Sequence, residues 1–222
     1  MRLLAIDTAL EASSVGVVSG ERTVIVSDTI GRGHAEVLMR QVESAMAEAG
    51  LAFADLDRIA VVVGPGSFTG LRVGIAAARG FALATGKPAA GVGTLAVHAA
   101  EARAAHGAGA VLAVLAAGRG EIYGQVFAAD GSEATPAQAA SPEVLAALVE
   151  PGMTLAGSGA DLVLAALPMD MRPPVAHRRS APDVATLCAV ALAAPAPTSA
   201  PRPLYVRPPD ARPQTAARIA RR

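Results

Sequence analysis

The stretch Gly64–Gly74, GPGSFTGLRVG, gathers Gly64, Gly66, Gly70 and Gly74 with the hydroxyls of Ser67 and Thr69 and the guanidinium of Arg72. Such a composition could cradle a phosphate on backbone N–H groups. The spacing excludes the familiar versions. A Walker loop needs Lys and Ser or Thr directly after its last glycine, and here Leu71 and Arg72 follow Gly70. The dinucleotide fingerprint fails because the interval from Gly66 to Gly70 is one residue too long.

The other reactive side chains are sparse. The histidines are His34, His98, His106 and His177, with no His-x-x-x-His pair, and the residue four after His34 is Leu38, so the helix there offers at most one metal ligand. Ser67 lies in a plausible strand-to-helix turn but not in a Gly-x-Ser-x-Gly elbow. Cys188 sits in the apolar run VATLCAVAL, where packing is its expected role. The aromatics are scattered and form no stacking platform for bases.

The elements that must position these residues follow from periodicity. LLAIDTA, SVGVVSG and RTVIVSDTI read as an antiparallel meander whose first strand ends on Asp7 and Thr8. From Ala35 the spacing Leu38, Met39, Val42, Ala45, Met46, Ala49 predicts an amphipathic helix between Gly33 and Gly50. DRIAVVVGPG is a buried strand stopped by Pro65. A second helix runs to Gly86 with Gly70, Gly74, Ala78 and Ala82 recurring every four residues, a stripe almost without side chain. Glycine within a helix costs about 0.5–1 kcal/mol, so close backbone approach is expected there, either to a partner or to the chain's own sheet.

PAAGVGT is a short strand, and Thr94 can cap a helix from Leu95 to about Ala104. The segment HGAGA marks a boundary. Beyond it come a strand pair turning at Gly118–Gly120, the helix SPEVLAALVE, the loop LAGSGADLV and a helix over about Asp183–Ala193. The order βββαβαβα, followed by a reduced second copy, predicts two related α/β lobes.

A chain of 222 residues, 52% hydrophobic and 17% charged, folds around a sizeable core. Its formal net charge of zero gives nucleic acid no overall attraction. The arginine-rich end from Arg172 reads as a solvated basic tail. One cysteine, no signal-peptide core and no long apolar window predict a cytoplasmic protein without a membrane span.

In order along the chain, LLAIDTA, the helix opening on His34, VVVGPGSFTGLRVGIAAARGFA, RGEIYGQVF and PLYVR (Pro203–Arg207) resemble the bacterial TsaB, or YeaZ, family. The resemblance implies an actin-like (ASKHA, ribonuclease H-like) two-lobed fold with a reduced C-terminal lobe. Its expected division is residues 1–104, the partner-binding lobe, and 105–222, a smaller lobe with a Pro/Arg-rich end. It further implies a non-catalytic subunit for threonylcarbamoyl modification of the adenosine beside the tRNA anticodon. Its expected partners are TsaD, bound through the first helices, and TsaE, with tRNA met only through the complex and a homodimer possible in isolation.

An active relative would need two metal-binding histidines on the first helix; only His34 stands here, so no metal and no cofactor are expected. The competing enzyme readings are metallopeptidase-like or nucleotide-binding. On this resemblance His34, Leu38, Val42, Gly70, Leu71, Gly74 and Ala78 are the expected partner contacts. Asp7 and Thr8, with Gly157 and Gly159 in GSGAD, are expected as a vestigial nucleotide loop. Ala116 and Gly118 stand where many family members have Asp and Arg.

Overall fold

β-Branched residues alternating with small ones make the N-terminal meander, β1 (Arg2–Asp7), β2 (Ala12–Ser19) and β3 (Arg22–Thr29). The computed structural model describes residues 1–30, 33–118 and 121–207. The arginine tail beyond residue 207 and the tip of the Gly118–Gly120 turn lie outside these described residues. Helix α1 (His34–Ala49) follows, then β4 (Arg58–Gly64), α2 (Phe68–Thr85), β5 (Ala89–Gly93) and α3 (Thr94–His106). The strands form one mixed sheet in the order β3-β2-β1-β4-β5, with β1, β4 and β5 parallel.

The remaining chain repeats this plan. The elements are β6 (Val111–Gly118), β7 (Glu121–Phe127), β8 (Gln138–Ala140), α4 (Pro142–Ala146), β9 (Thr154–Ala156), α5 (Ala160–Ala165), β10 (Val175–His177) and α6 (Val184–Ala193). Their sheet runs β10-β9-β6-β7-β8, the first order read from its other edge, with the same pattern of parallel and antiparallel pairs. Helices fall at equivalent places in both halves. The reduction is visible in strand length: β8, β9 and β10 have 3 residues each, against 8, 7 and 5 in β3, β4 and β5. This duplicated lobe is the actin-like α/β architecture.

Most expected elements stand within a residue or two of their expected ends. Three differ. The α4 helix stops at Ala146, well short of Glu150, and LAGSGADLV holds β9 and the start of α5 rather than a loop. Gly93, not Thr94, is the N-cap of α3, because the Thr94 hydroxyl instead donates to the Pro65 carbonyl at 2.8 Å.

The two sheets fall on either side of residue 104, but their cores share helices across it. Leu95, Ala99 and Ala102 of α3 pack with Val111, Ala113, Leu115, Phe127 and Ala156 of the second sheet. Conversely, Val184, Leu187, Cys188 and Ala191 of α6 belong to the core of the first sheet. Gly16 on β2 lies under α6, where a Cβ would come within 2.6 Å of Cys188 Sγ. Its register partner is Ala5, so the next residue on β1, Ile6, faces the opposite side, toward α2. The first sheet is therefore sandwiched between α1 and α2 on one face and α6 on the other. Leu3, Leu4, Ala5 and Ile6 are fully buried as a result. Arg58 fixes α6 at its C-terminus by donating from Nη1 to the Ala191 and Ala194 carbonyls, each at 2.7 Å.

Candidate partner face and inter-lobe cleft

The GPGSFTG turn is built by backbone meeting backbone. Gly64 has a φ of +119°, and a Cβ there would lie 2.8 Å from the Leu204 carbonyl oxygen. At Gly66 a Cβ would meet the Ala9 carbonyl oxygen at 2.5 Å, and at Gly70 the Thr8 carbonyl oxygen at 2.0 Å. Ser67 donates its backbone N–H to Ala9 O at 2.6 Å and caps α2 by accepting from Gly70 N at 3.3 Å. The Thr8 hydroxyl donates to Gly70 O at 2.7 Å. The glycines thus let the turn after β4 close on the turn after β1, and the first turn of α2 is spent on Thr8 and Ala9.

In this chain most of the expected contact residues pack inward. Leu38, Val42, Leu71 and Ala78 are buried, and Gly74 faces Thr8, Val61 and Ile6. The stripe holds α2 to its own sheet, because Gly70, Leu71, Gly74, Ile75 and Ala78 share one side of the helix. The backbone of His34 opens α1, but its side chain lies outside what is described. Gln41 locks α1 in place: its amide accepts from the Ser13 hydroxyl at 2.6 Å and donates to Ser13 O and Asp28 Oδ2, each at 2.9 Å. Sequence reasoning missed Gln41, a polar residue on the apolar side of the helix.

The outward side of the two helices carries different residues. Met39 is 52% exposed, Phe68 51% and Leu83 89%. Leu204 of the C-terminal segment donates its N–H to Val63 O at 2.7 Å, which brings Tyr205 to the start of α2. There the Arg72 guanidinium lies 3.6 Å from the centroid of the Phe68 ring, its Nε donates to Tyr205 Oη at 3.0 Å, and the two aromatic rings are 5.4 Å apart. Gly80, also on this side, has open space where a Cβ would stand.

Between the lobes lies a cavity of about 370 Å³ lined by Leu10, Glu11, Gly66, Ser67, Leu115, Ala116, Ala117 and Tyr123. Glu11 is the single carboxylate among these. Asp7 lies buried at the end of β1, where its Oδ1 accepts from Ala9 N at 2.8 Å. Burial pushes its pKa up to about 7. Gly157 and Gly159 are explained by packing: a Cβ would sit 2.1 Å from the Val114 carbonyl oxygen at Gly157 and 2.7 Å from Ile122 Cγ2 at Gly159.

Topology also unites two histidines that sequence spacing keeps apart. His98 and Glu101 on α3 meet His177 at the end of β10, and the three offer ligand atoms within 4.8 Å of one another. His98 is fully buried, and burial pushes its pKa down to about 4, so it is neutral at pH 7. The signal in the sequence was the His98-x-x-Glu101 spacing, one helical turn; the third member is supplied only by the fold.

Comparison with known proteins places these features. Residues 24–174 match the family model described as TsaD, tRNA N6-adenosine threonylcarbamoyltransferase. An uncharacterized protein of Mycobacterium tuberculosis is 37% identical over 216 residues, covering 95% of this chain and 94% of that protein. The tRNA threonylcarbamoyladenosine biosynthesis protein TsaB of Escherichia coli is 39% identical over 123 residues, 55% of this chain and 53% of that protein. Among solved structures, YeaZ from Pseudomonas aeruginosa superposes with a TM-score of 0.75 at 31% identity, covering 86% of this chain and 91% of YeaZ. A second structure, an uncharacterized protein with similarity to peptidase YEAZ from Pseudomonas aeruginosa, gives a TM-score of 0.80 at 29% identity, over 93% of this chain and 99% of that one. With these relatives spanning its length, the chain belongs to the TsaB (YeaZ) family, within the wider group matched by the TsaD model.

Proposed function

We propose that this chain serves tRNA threonylcarbamoyladenosine biosynthesis as a non-catalytic subunit that binds a TsaD-type threonylcarbamoyltransferase, together with TsaE, and stabilises its working arrangement. The observation that carries the reading is the division of labour on α1 and α2. Their small and aliphatic residues are consumed by the chain's own sheet, while Met39, Phe68 and Leu83 stay exposed on the other side. Large apolar side chains left exposed along α1 and α2 gain by being covered. The Arg72–Phe68–Tyr205 cluster adds a pre-ordered aromatic and guanidinium anchor at one end of that face, the residue types that carry most binding energy in protein interfaces. The cleft supports the non-catalytic part of the reading, since the described residues lining it are mainly apolar.

The test is co-purification with the TsaD of the same organism, with the mass of the complex measured by light scattering. Leu83→Glu and Phe68→Ala are expected to weaken the complex by about tenfold or more. Leu83 is 89% exposed, so isolated Leu83→Glu keeps the wild-type thermal midpoint, whereas Phe68→Ala gives up the Arg72 and Tyr205 contacts and is compared at a temperature where it remains folded. Undiminished binding by both variants would refute the assigned face, and absence of any complex would refute the scaffold reading. A homodimer lost in the same variants would assign the face to a second copy instead.

A further inference from the structure

We propose that His98, Glu101 and His177 bind a divalent transition-metal cation of the zinc class, each giving one ligand atom, with water completing four-coordination. The imidazole Nε2 of His98 lies 2.9 Å from the Ser180 carbonyl oxygen. That oxygen can only accept, so the proton sits on Nε2 and Nδ1 is left with its lone pair, buried and without a partner among the described residues. A ligating histidine oriented by a backbone carbonyl on its other nitrogen is the usual outer-sphere arrangement.

His177 is equally under-used. Among the described residues, neither of its buried ring nitrogens has a partner in hydrogen-bond geometry. Its Nε2 is 3.1 Å from Glu101 Oε2, yet the two are not aligned for a hydrogen bond. The rings of the two histidines are 5.1 Å apart. Tetrahedral ligands at ordinary zinc distances stand about 3.3–3.5 Å from one another. The observed spread of up to 4.8 Å therefore closes with side-chain rotations rather than backbone movement. Two imidazoles and one carboxylate suit zinc, cobalt or nickel better than calcium or magnesium, which prefer all-oxygen sets.

One group now stands in the cation's stead. The Arg179 guanidinium pairs with Glu101 Oε2, and the Asp183 N–H donates to Oε1. Arg179 has 57% of its side chain exposed, so it can swing into solvent, whereas Glu101 at 5% cannot. Metal and guanidinium compete for the same oxygen. The bound cation would tie α3 to β10, close to the Arg179–Ser180 segment that leads into α6.

The experiment uses the full chain without an affinity tag, stripped with chelator and titrated with zinc chloride by calorimetry and with cobalt chloride by visible absorption. The expected result is one equivalent of saturable binding and a tetrahedral cobalt spectrum. His177→Ala and Glu101→Gln each weaken it by about 10- to 100-fold. Arg179→Ala tightens it, a change that a purely hydrogen-bonded latch would not produce. Replacing His34 and His106 leaves binding in place. The proposal is overturned if the wild-type chain binds neither ion at one equivalent, a result that needs no variant to fold. It is equally overturned if folded Glu101→Gln binds as well as wild type.

Discussion

Gly70→Ala and Gly80→Ala place the same methyl group on the same helix with opposite expected consequences. At Gly70 the new Cβ would stand 2.0 Å from the Thr8 carbonyl oxygen, about 1 Å inside the closest approach carbon makes to oxygen. The obstacle is backbone, in the turn after β1, and it cannot rotate away. The start of α2 must retreat, which stretches the 2.7 Å hydrogen bond from the Thr8 hydroxyl to Gly70 O. Overpacking of this kind costs about 1–3 kcal/mol, and a broken buried hydrogen bond about 1 kcal/mol more. Against this, alanine gains about 0.5–1 kcal/mol over glycine inside a helix.

The net expectation is a loss of about 1–3.5 kcal/mol for Gly70→Ala. At Gly80, with nothing within 4 Å of the added Cβ, only the favourable helix term remains, and the variant gains about 0.5–1 kcal/mol. For a chain of this size 1 kcal/mol moves the thermal midpoint by about 2–4 °C, so the two midpoints should separate by roughly 3–18 °C. Urea unfolding followed by circular dichroism, with calorimetry as the second probe, measures both. Equal midpoints, or a stabilised Gly70→Ala, would refute the close-approach account of the whole GPGSFTG turn.

Two further outcomes concern titration. Asp7 titrates near 7 when folded and near 3.8 when unfolded, so its contribution is fully present below pH 3.8 and lost as pH rises through 7. Asn at this position still accepts from Ala9 N and never ionises, so the advantage of Asp7→Asn over wild type should grow from near zero at pH 4 to at most about 4 kcal/mol at pH 8; a pH-independent difference in urea midpoints contradicts it. Burial, helped by the nearby Asp183 charge, pushes the Cys188 thiol up to about 12. Ellman's reagent at pH 8 should therefore react with it only after unfolding, and rapid labelling of the native chain would contradict its placement under α6.

Local chemistry made much of the fold legible. The Gly33 and Gly50 ends of α1, the Ser67 start of α2 and the Asp183 cap of α6 are written in residue types whose effects act over one helical turn. The partner face was harder to read. A small-residue stripe identifies a side of α2 without saying what lies against it, and the deciding clue was the company of Leu71 and Ile75 on that side. Phe68 and Arg72 on the other side are joined only by Tyr205, far along the chain, which no local signal announces. His177 was invisible as a neighbour of His98 for the same reason: only the parallel pairing of β10 with β9 delivers it to α3. The crossing of α6 to the first sheet is likewise a matter of topology, since its own sequence is apolar on every side.

The exchange of α3 and α6 between the sheets bears on how the chain is made. A ribosome that has released residues 1–106 has delivered a five-stranded sheet with one apolar face still bare, because the helix that covers it is among the last elements synthesised. Meanwhile α3 has emerged ahead of the sheet it serves. Neither half can finish its core alone, and the nascent protein carries exposed apolar surface until Arg58 receives the carbonyls of Ala191 and Ala194. Cutting the gene at the apparent lobe boundary would leave each fragment with bare apolar surface rather than two finished domains, and a premature stop before α6 leaves a product that quality control can recognise.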